Sequence, residues 1–324
     1  MLIRPKYFFI YALLSTVTLA GVGGCRKDVE TFRPYSPTLD AIQLLLKQVA
    51  NSPTKTTFTL SAVTEDKVLV TPNGVRVFLT DPDNLFEDAD ANPVPCSTCQ
   101  TLEVEVTEAL DKSDIIAYGV PTTTLDGDLL ESGGMVNIVV TCDGKALRLQ
   151  SDRQLKIQIP ADNPVNDMLV FNGIMKNDSL LGWQNADQPV FQAEWQNANM
   201  MLVEGYEILS QQLGWINADR FLNEPTTSFC VDLPDNFNPE NTKAYLVIKN
   251  IRSVATLDYN LDEKTFCFPN APKGYPIKVV TVSQTNNGDY WLGNFETEVG
   301  SNATVAVAPK QVTEQQMLDF LKSL

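Results

Sequence analysis

The chain has no histidine among its 324 residues. That absence removes the Ser-His-Asp triad, the Cys-His pair, the H-E-x-x-H zinc site and every histidine acid–base pair. Chemistry would have to rest on carboxylates, Lys, Tyr, Ser or Cys. A glycosidase-type carboxylate pair survives this filter, but no paired-acid motif stands out. Positive charge is also scarce, with 24 Lys and Arg against 40 Asp and Glu and a net charge of −16. Such a balance excludes nucleic acid and anionic membrane surfaces as natural partners and favours solubility and divalent cations. Hydrophobic content of 44% is that of a globular chain and excludes wholesale disorder.

Long apolar runs are missing too, except at the start. Arg4 and Lys6 precede the uncharged stretch "YFFIYALLSTVTLA", Tyr7 to Ala20. As a helix those residues rise about 21 Å, short of the roughly 30 Å hydrocarbon core of a bilayer. The pattern is that of a signal peptide, not an anchor. Val22-Gly23-Gly24 then leads into Cys25. Small residues before a cysteine resemble the lipobox of bacterial lipoproteins, which implies acylation of Cys25 and membrane attachment through that N-terminal lipid. Arg26-Lys27-Asp28-Val29-Glu30 follows at once. Lys27, Asp28 and Glu30 resemble the signal that exports lipoproteins of the Bacteroidota to the outer face of the outer membrane. Cleavage before Cys25 would leave 22 basic against 40 acidic residues, and a chain long enough for two domains.

Five further cysteines are present: Cys96, Cys99, Cys142, Cys230 and Cys267. In an oxidising exported setting disulfides are the default. Cys230 and Cys267 share the C-terminal half and are natural partners. Cys96, Cys99 and Cys142 leave one thiol over, their pairing open, with neighbouring Cys96 and Cys99 a candidate bridge. "CSTC" has redox spacing, but Pro93 and Pro95 precede it and "TLEVEVTE" follows. A turn running into a strand is the wrong platform for a thioredoxin-like pair.

The rest of the chain is patterned with a period of two. "DAIQLLLKQVA" at 40–50 has helical spacing, whereas "KVLVTPNGVRVFLT" reads as a hairpin around Pro72-Asn73-Gly74. Leu102, Val104 and Val106 alternate with Glu103, Glu105 and Thr107, and further turns fall at Asp143-Gly144 and Asn287-Gly288. Thr313 and Gln316 fit a capping box on a C-terminal amphipathic helix, which Met317, Phe320 and Leu321 would dock. The expected organisation is a lipoprotein signal peptide (1–24), a tether with a short helix (25–50), a β-sandwich (51–162), an irregular aromatic-rich connecting segment (163–225), a second β-sandwich (226–311) and a C-terminal helix (312–324). The expected fold class is mainly β, with two antiparallel sandwiches and short N- and C-terminal helices.

"TTFTLSA…VTPNGVRVFL" and "GDLLESGGMVNIVVTCDGKALRL" resemble the ZU5-like β-sandwich of exported Bacteroidota proteins. "LGWINADRF", Leu213 to Phe221, resembles a junction motif that follows that sandwich in uncharacterised lipoproteins of the group. The C-terminal β region is similar to transthyretin-like or immunoglobulin-like modules. The resemblance implies architecture and carries no catalytic residues.

Four candidate sites remain. Asp81, Asp83, Asp88 and Asp90 lie in an oxygen-rich loop suited to Ca2+, without an EF-hand spacing. Trp183, Trp195 and Trp215 lie amid many amides, materials that also serve carbohydrate stacking. Trp215, Asn217, Asp219 and Arg220 form either a domain junction or a ligand groove. Asp178-Ser179-Leu180 resembles the O-glycosylation acceptor of Bacteroidota, with Ser179 as the acceptor. Together these features predict a non-catalytic outer-membrane lipoprotein, surface-exposed, with a structural, adhesive or ligand-binding role. Its partners would be an envelope protein or a glycan. The second reading is a glycan-binding accessory lipoprotein of a surface polysaccharide system, and the third a carboxylate-based hydrolase.

Overall fold

The computed structural model describes residues 39–49, 55–177, 179–285, 287–301 and 303–324. Cys25, Lys27, Asp28 and Glu30 lie outside them. The described chain is mainly β, with three short α-helices. No helix among the described residues is long and apolar enough to cross a membrane.

The N-terminal lobe begins after helix α1 (Leu39–Leu46) with β1 (Lys55–Leu60), β2 (Lys67–Val70), β3 (Arg76–Leu79), β4 (Phe86–Glu87) and β5 (Leu102–Ala109). Helix α2 (Lys112–Tyr118) precedes β6 (Leu130–Cys142), β7 (Lys145–Ala146), β8 (Arg148–Leu149) and β9 (Leu155–Pro160). Then come β10 (Leu169–Lys176), β11 (Ser179–Pro189), β12 (Phe191–Gln196), β13 (Leu202–Ser210) and β14 (Gly214–Phe221). One sheet runs β1-β5-β6-β14-β10-β11, and the other runs β12-β13-β9-β3-β2. Val104, Val106, Ile138, Ile216 and Ala218 from the first meet Leu69, Val77, Ile157, Ile159 and Ile208 from the second in one buried core. Alternation explains the choice: in β5 it sends Leu102, Val104 and Val106 inward while Glu103 faces solvent.

The C-terminal lobe comprises β15 (Thr226–Asp232), β16 (Thr242–Ile248), β17 (Ser253–Thr256), β18 (Asp258–Asn260) and β19 (Thr265–Pro272). It is completed by β20 (Pro276–Gln284), β21 (Tyr290–Glu298), β22 (Ala303–Ala306) and β23 (Lys310–Val312). Its sheets are β18-β19-β15-β22 and β17-β16-β20-β21-β23. Phe229, Val231, Phe266 and Phe268 of the one pack against Leu246, Ile248, Ile277 and Val279 of the other. Two lobes of paired sheets are compatible with the two expected sandwiches. One pairing departs from the antiparallel expectation, because β22 lies parallel to β15.

A third core lies between the lobes. Met135, Phe171, Trp183 and Trp215 use the outer face of the first lobe's sheet, while Tyr245, Val247, Val280 and Val282 use that of the second. Helix α1 adds Ile42, Leu45 and Leu46; α2 adds Ile115 and Ile116; and α3 (Glu314–Lys322) adds Met317 and Leu321. The expected capping box on α3 is present, with Thr313 and Gln316 exchanging side-chain and backbone hydrogen bonds. Helix α2, absent from the sequence expectations, is closed by its own box of Asp111 and Asp114 and ends at Gly119 with φ 63°.

The expected irregular segment at 163–225 is corrected by the structure. It holds β10 to β14, and these strands belong to both sheets of the N-terminal lobe. Strand β14 is central and covered on both sides, so Ile216 and Ala218 enter the first core while Trp215 enters the third. Burial on both faces erases the alternation that marks a half-exposed strand.

Candidate functional site

The polar centre of the junction is built on β14 and the bulged part of β6 facing it. Asn217 pairs with Met135, but Asp219 pairs with Ser132, so Gly133 and Gly134 make a bulge opposite Ala218. A Cβ on Gly133 would stand 2.5 Å from the Tyr206 ring, and Gly134 has φ 129°. Both positions therefore require glycine. Into this opening comes the turn between β16 and β17: the Ser132 amide donates to the Arg252 carbonyl at 2.9 Å.

Asn217 and Asp219 are fully buried, at 0% exposure. Asn217 Nδ2 donates to Asp219 Oδ2 at 2.6 Å, and Ser132 Oγ donates to Asn217 Oδ1 at 2.9 Å. Asp219 Oδ1 has no hydrogen-bond partner among the described residues. Burial raises the Asp219 carboxyl well above the usual range, opposed in part by the Ser132 hydroxyl and the Arg252 charge. Arg220 leaves this cluster and pairs across the sheet with Glu131, Nη2 to Oε2 at 2.6 Å. Of the junction residues, Asn217 and Asp219 thus form one network with Ser132, while Trp215 and Arg220 lie apart from it.

The three tryptophans of the glycan reading are buried: Trp183 at 1%, Trp195 at 8% and Trp215 at 8% exposure. Trp183 and Trp215 meet edge to face, ring centroids 6.5 Å apart, and Trp183 Nε1 donates to the Pro121 carbonyl at 2.8 Å. Rings sealed in this way have no face to offer a sugar, so the structure removes the residues that supported glycan stacking.

Nor do the acidic-loop residues converge. Asp81 Oδ1 accepts from Asn84, Asp83 Oδ1 from the Ser97 amide, and Asp88 Oδ1 from the amides of Asp90 and Asn92. Three of these carboxylates are engaged in separate loop contacts and the four do not gather at metal-ligand spacing, which corrects the expectation of a shared Ca2+ cage from Asp81, Asp83, Asp88 and Asp90. Among the described residues the one cluster with metal-ligand spacing is Cys230, Glu263 and Cys267. Its sulfurs are bonded to each other, so neither is a thiolate ligand.

Cys230 and Cys267 face each other in register across β15 and β19 and are joined. The candidate Cys96–Cys99 bridge is not formed. Cys96 opens a 3-10 turn, while Cys99 leads into β5, whose Leu102 pairs with Cys142 at the end of β6. Cys99 and Cys142 thereby come to a Cα separation of 5.4 Å and are joined. Cys96 stays a buried thiol, which burial and the Asp83 charge push up to about 12, away from redox reactivity. Ser179 is exposed at the start of β11, and Asp178 of the same motif lies outside the described residues.

The buried acids missed by sequence reasoning are Glu108 and Asp114. Glu108 accepts from Thr71 Oγ1 at 2.5 Å and Asn73 Nδ2 at 2.7 Å, tying β5 to the turn of the β2–β3 hairpin. Asp114 caps α2. Both are sealed from solvent and hold backbone geometry, so neither is placed to meet a substrate. No protein-family model matches the chain, and no curated protein matches it in sequence.

Proposed function

We propose that the chain is a non-catalytic lipoprotein of the bacterial outer membrane, anchored through Cys25 and displayed at the cell surface as a structural, adhesive or ligand-binding component. The observation that supports this reading best is the use made of its unusual side chains. Trp183 and Trp215 are committed to the core between the lobes, Asn217 and Asp219 to each other in the interior, and Glu108 to holding a turn. A rigid two-lobed body on a lipidated tether suits presentation of a surface at a distance from the membrane. Several acyl chains hold such a body firmly, at about 0.8 kcal/mol per buried methylene.

The test uses intact cells and a non-permeant protease. The native protein is expected in the membrane fraction and open to shaving. Cys25→Ala is expected to lose membrane attachment. The triple replacement of Lys27, Asp28 and Glu30 by alanine is expected to stay membrane-bound yet resist shaving until lysis. A native protein that resists shaving while lysed cells release the fragment would overturn surface display, and a Cys25→Ala chain retained in the membrane would overturn the lipid anchor.

A further inference from the structure

At the junction, a cleft of about 380 Å³ opens where α2 begins, the β16–β17 turn passes and α3 ends. Its lining includes Lys112, Lys249, Arg252 and Lys322, with Asp111 as its one acidic side chain. That is a local reversal of sign in a chain with 40 acidic and 24 basic residues.

Two of these cations are fixed and still have donors to spare. Lys112 Nζ donates to the carbonyls of Ile248 and Lys249 at 2.5 and 2.8 Å, using two of an ammonium's three N–H groups. Those bonds also hold the turn against the N-terminal lobe. Arg252 is half-buried, and among the described residues its guanidinium makes no hydrogen bond and no ion pair within 4 Å. Burial draws its guanidinium down, and Asp111, the Tyr206 hydroxyl, Asp219 and Asp114 are its neighbours in charge. Lys249 is partly engaged, its Nζ 2.7 Å from Glu296, which Lys278 also approaches at 3.3 Å. Crowding of like charge is visible at Lys112, which burial first, then Lys278 and Arg252, draw down to about 8.

An arrangement that sets positive groups side by side, with uncommitted donors around a cavity, is stabilised by an anion with several acceptor oxygens. A tetrahedral oxyanion meets donors arriving from different elements better than a planar carboxylate does. We infer that this cleft binds a phosphate- or sulfate-type oxyanion, held by the Arg252 guanidinium and the free Lys112 donor, with Lys249 and Lys322 supplying field. The inference does not depend on which face of a membrane displays the protein. Its ligand is either the free ion or the same group carried as an ester on a larger molecule.

The experiment titrates the full chain with inorganic phosphate, and separately with a hexose phosphate, at constant ionic strength maintained with chloride. Amide NMR shifts of residues 249–252 are the readout. Saturable shifts with phosphate are expected. Arg252→Gln should weaken binding about tenfold, the size of one lost charge-assisted hydrogen bond. Lys322→Gln removes an exposed charge without touching the fold and should weaken binding about twofold to threefold by loss of field. If Arg252→Gln does not fold, Lys322→Gln with Lys112→Gln decides. Tighter binding of the hexose phosphate would identify an ester as the natural form, and equal binding the free ion. Shifts no larger than those from chloride, or unchanged affinity in folded variants, would overturn the site.

Discussion

Replacing Trp183 by alanine is expected to lower the unfolding free energy by about 3–5 kcal/mol, the usual cost of deleting a large aromatic from a packed core. Trp183 is the largest fully buried side chain among the described residues. It stands between the lobes, edge-on to Trp215, with its indole N–H committed to Pro121. Alanine would leave a cavity that the surrounding strands cannot close, and would strand the Pro121 carbonyl. Phenylalanine should cost less, since it keeps an aromatic body and loses mainly the hydrogen bond. Urea denaturation measures both. A Trp183→Ala protein as stable as the native one would mean that the indole is not part of a load-carrying core and would reopen a binding role for it.

The second large effect concerns Asp219. A carboxyl held above its ordinary value in the folded chain is protonated more readily there than in the unfolded chain. Its contribution is therefore complete below the unfolded value near 3.8 and is lost as pH rises through the raised folded value. The expected result is a stability that falls with rising pH over that window on account of this residue. Protonated, Asp219 also turns the unpaired Oδ1 from an unsatisfied acceptor into a donor. Asp219→Asn keeps an oxygen for the Asn217 amide and cannot titrate, so it should flatten that slope. Asp219→Ala leaves the buried Asn217 amide without an acceptor and should cost about 1–3 kcal/mol at pH 4, and less as pH rises, because the native chain itself then loses the Asp219 contribution. Unfolding free energies measured from pH 4 to 8 separate the cases. Identical pH profiles for the native chain and Asp219→Asn would contradict the assignment.

Legibility followed exposure. The hairpin at Pro72-Asn73-Gly74, the alternation of β5 and the Thr313–Gln316 capping box could be read because each depends on neighbours in sequence. The segment 163–225 could not. Strand β14 is buried on both faces, and its Asn217 and Asp219 satisfy each other in the interior, so its composition imitates a polar loop. Helix α2 was hidden for a different reason. Seven residues, "KSDIIAY", are too few to show a helical period, and the capping pair Asp111 and Asp114 with the closing Gly119 were the available signals. The pairing of Cys99 with Cys142 depends on strand order, which spacing within "CSTC" does not encode. The cationic cleft was out of reach as well, since Lys112, Arg252 and Lys322 are distant in sequence and meet through the junction alone.

The third core makes the two lobes one body. Bonds from Thr122 to Val254 and from Lys112 to Ile248 cross the same boundary. The most direct measurement is hydrogen exchange by mass spectrometry along a urea series, comparing β14 of the first lobe with β16 of the second. Both strands are expected to lose protection at a single midpoint, and in Trp183→Ala both midpoints should fall together. Separate midpoints for the two strands, with β16 indifferent to Trp183→Ala, would show two independent domains and contradict the shared core.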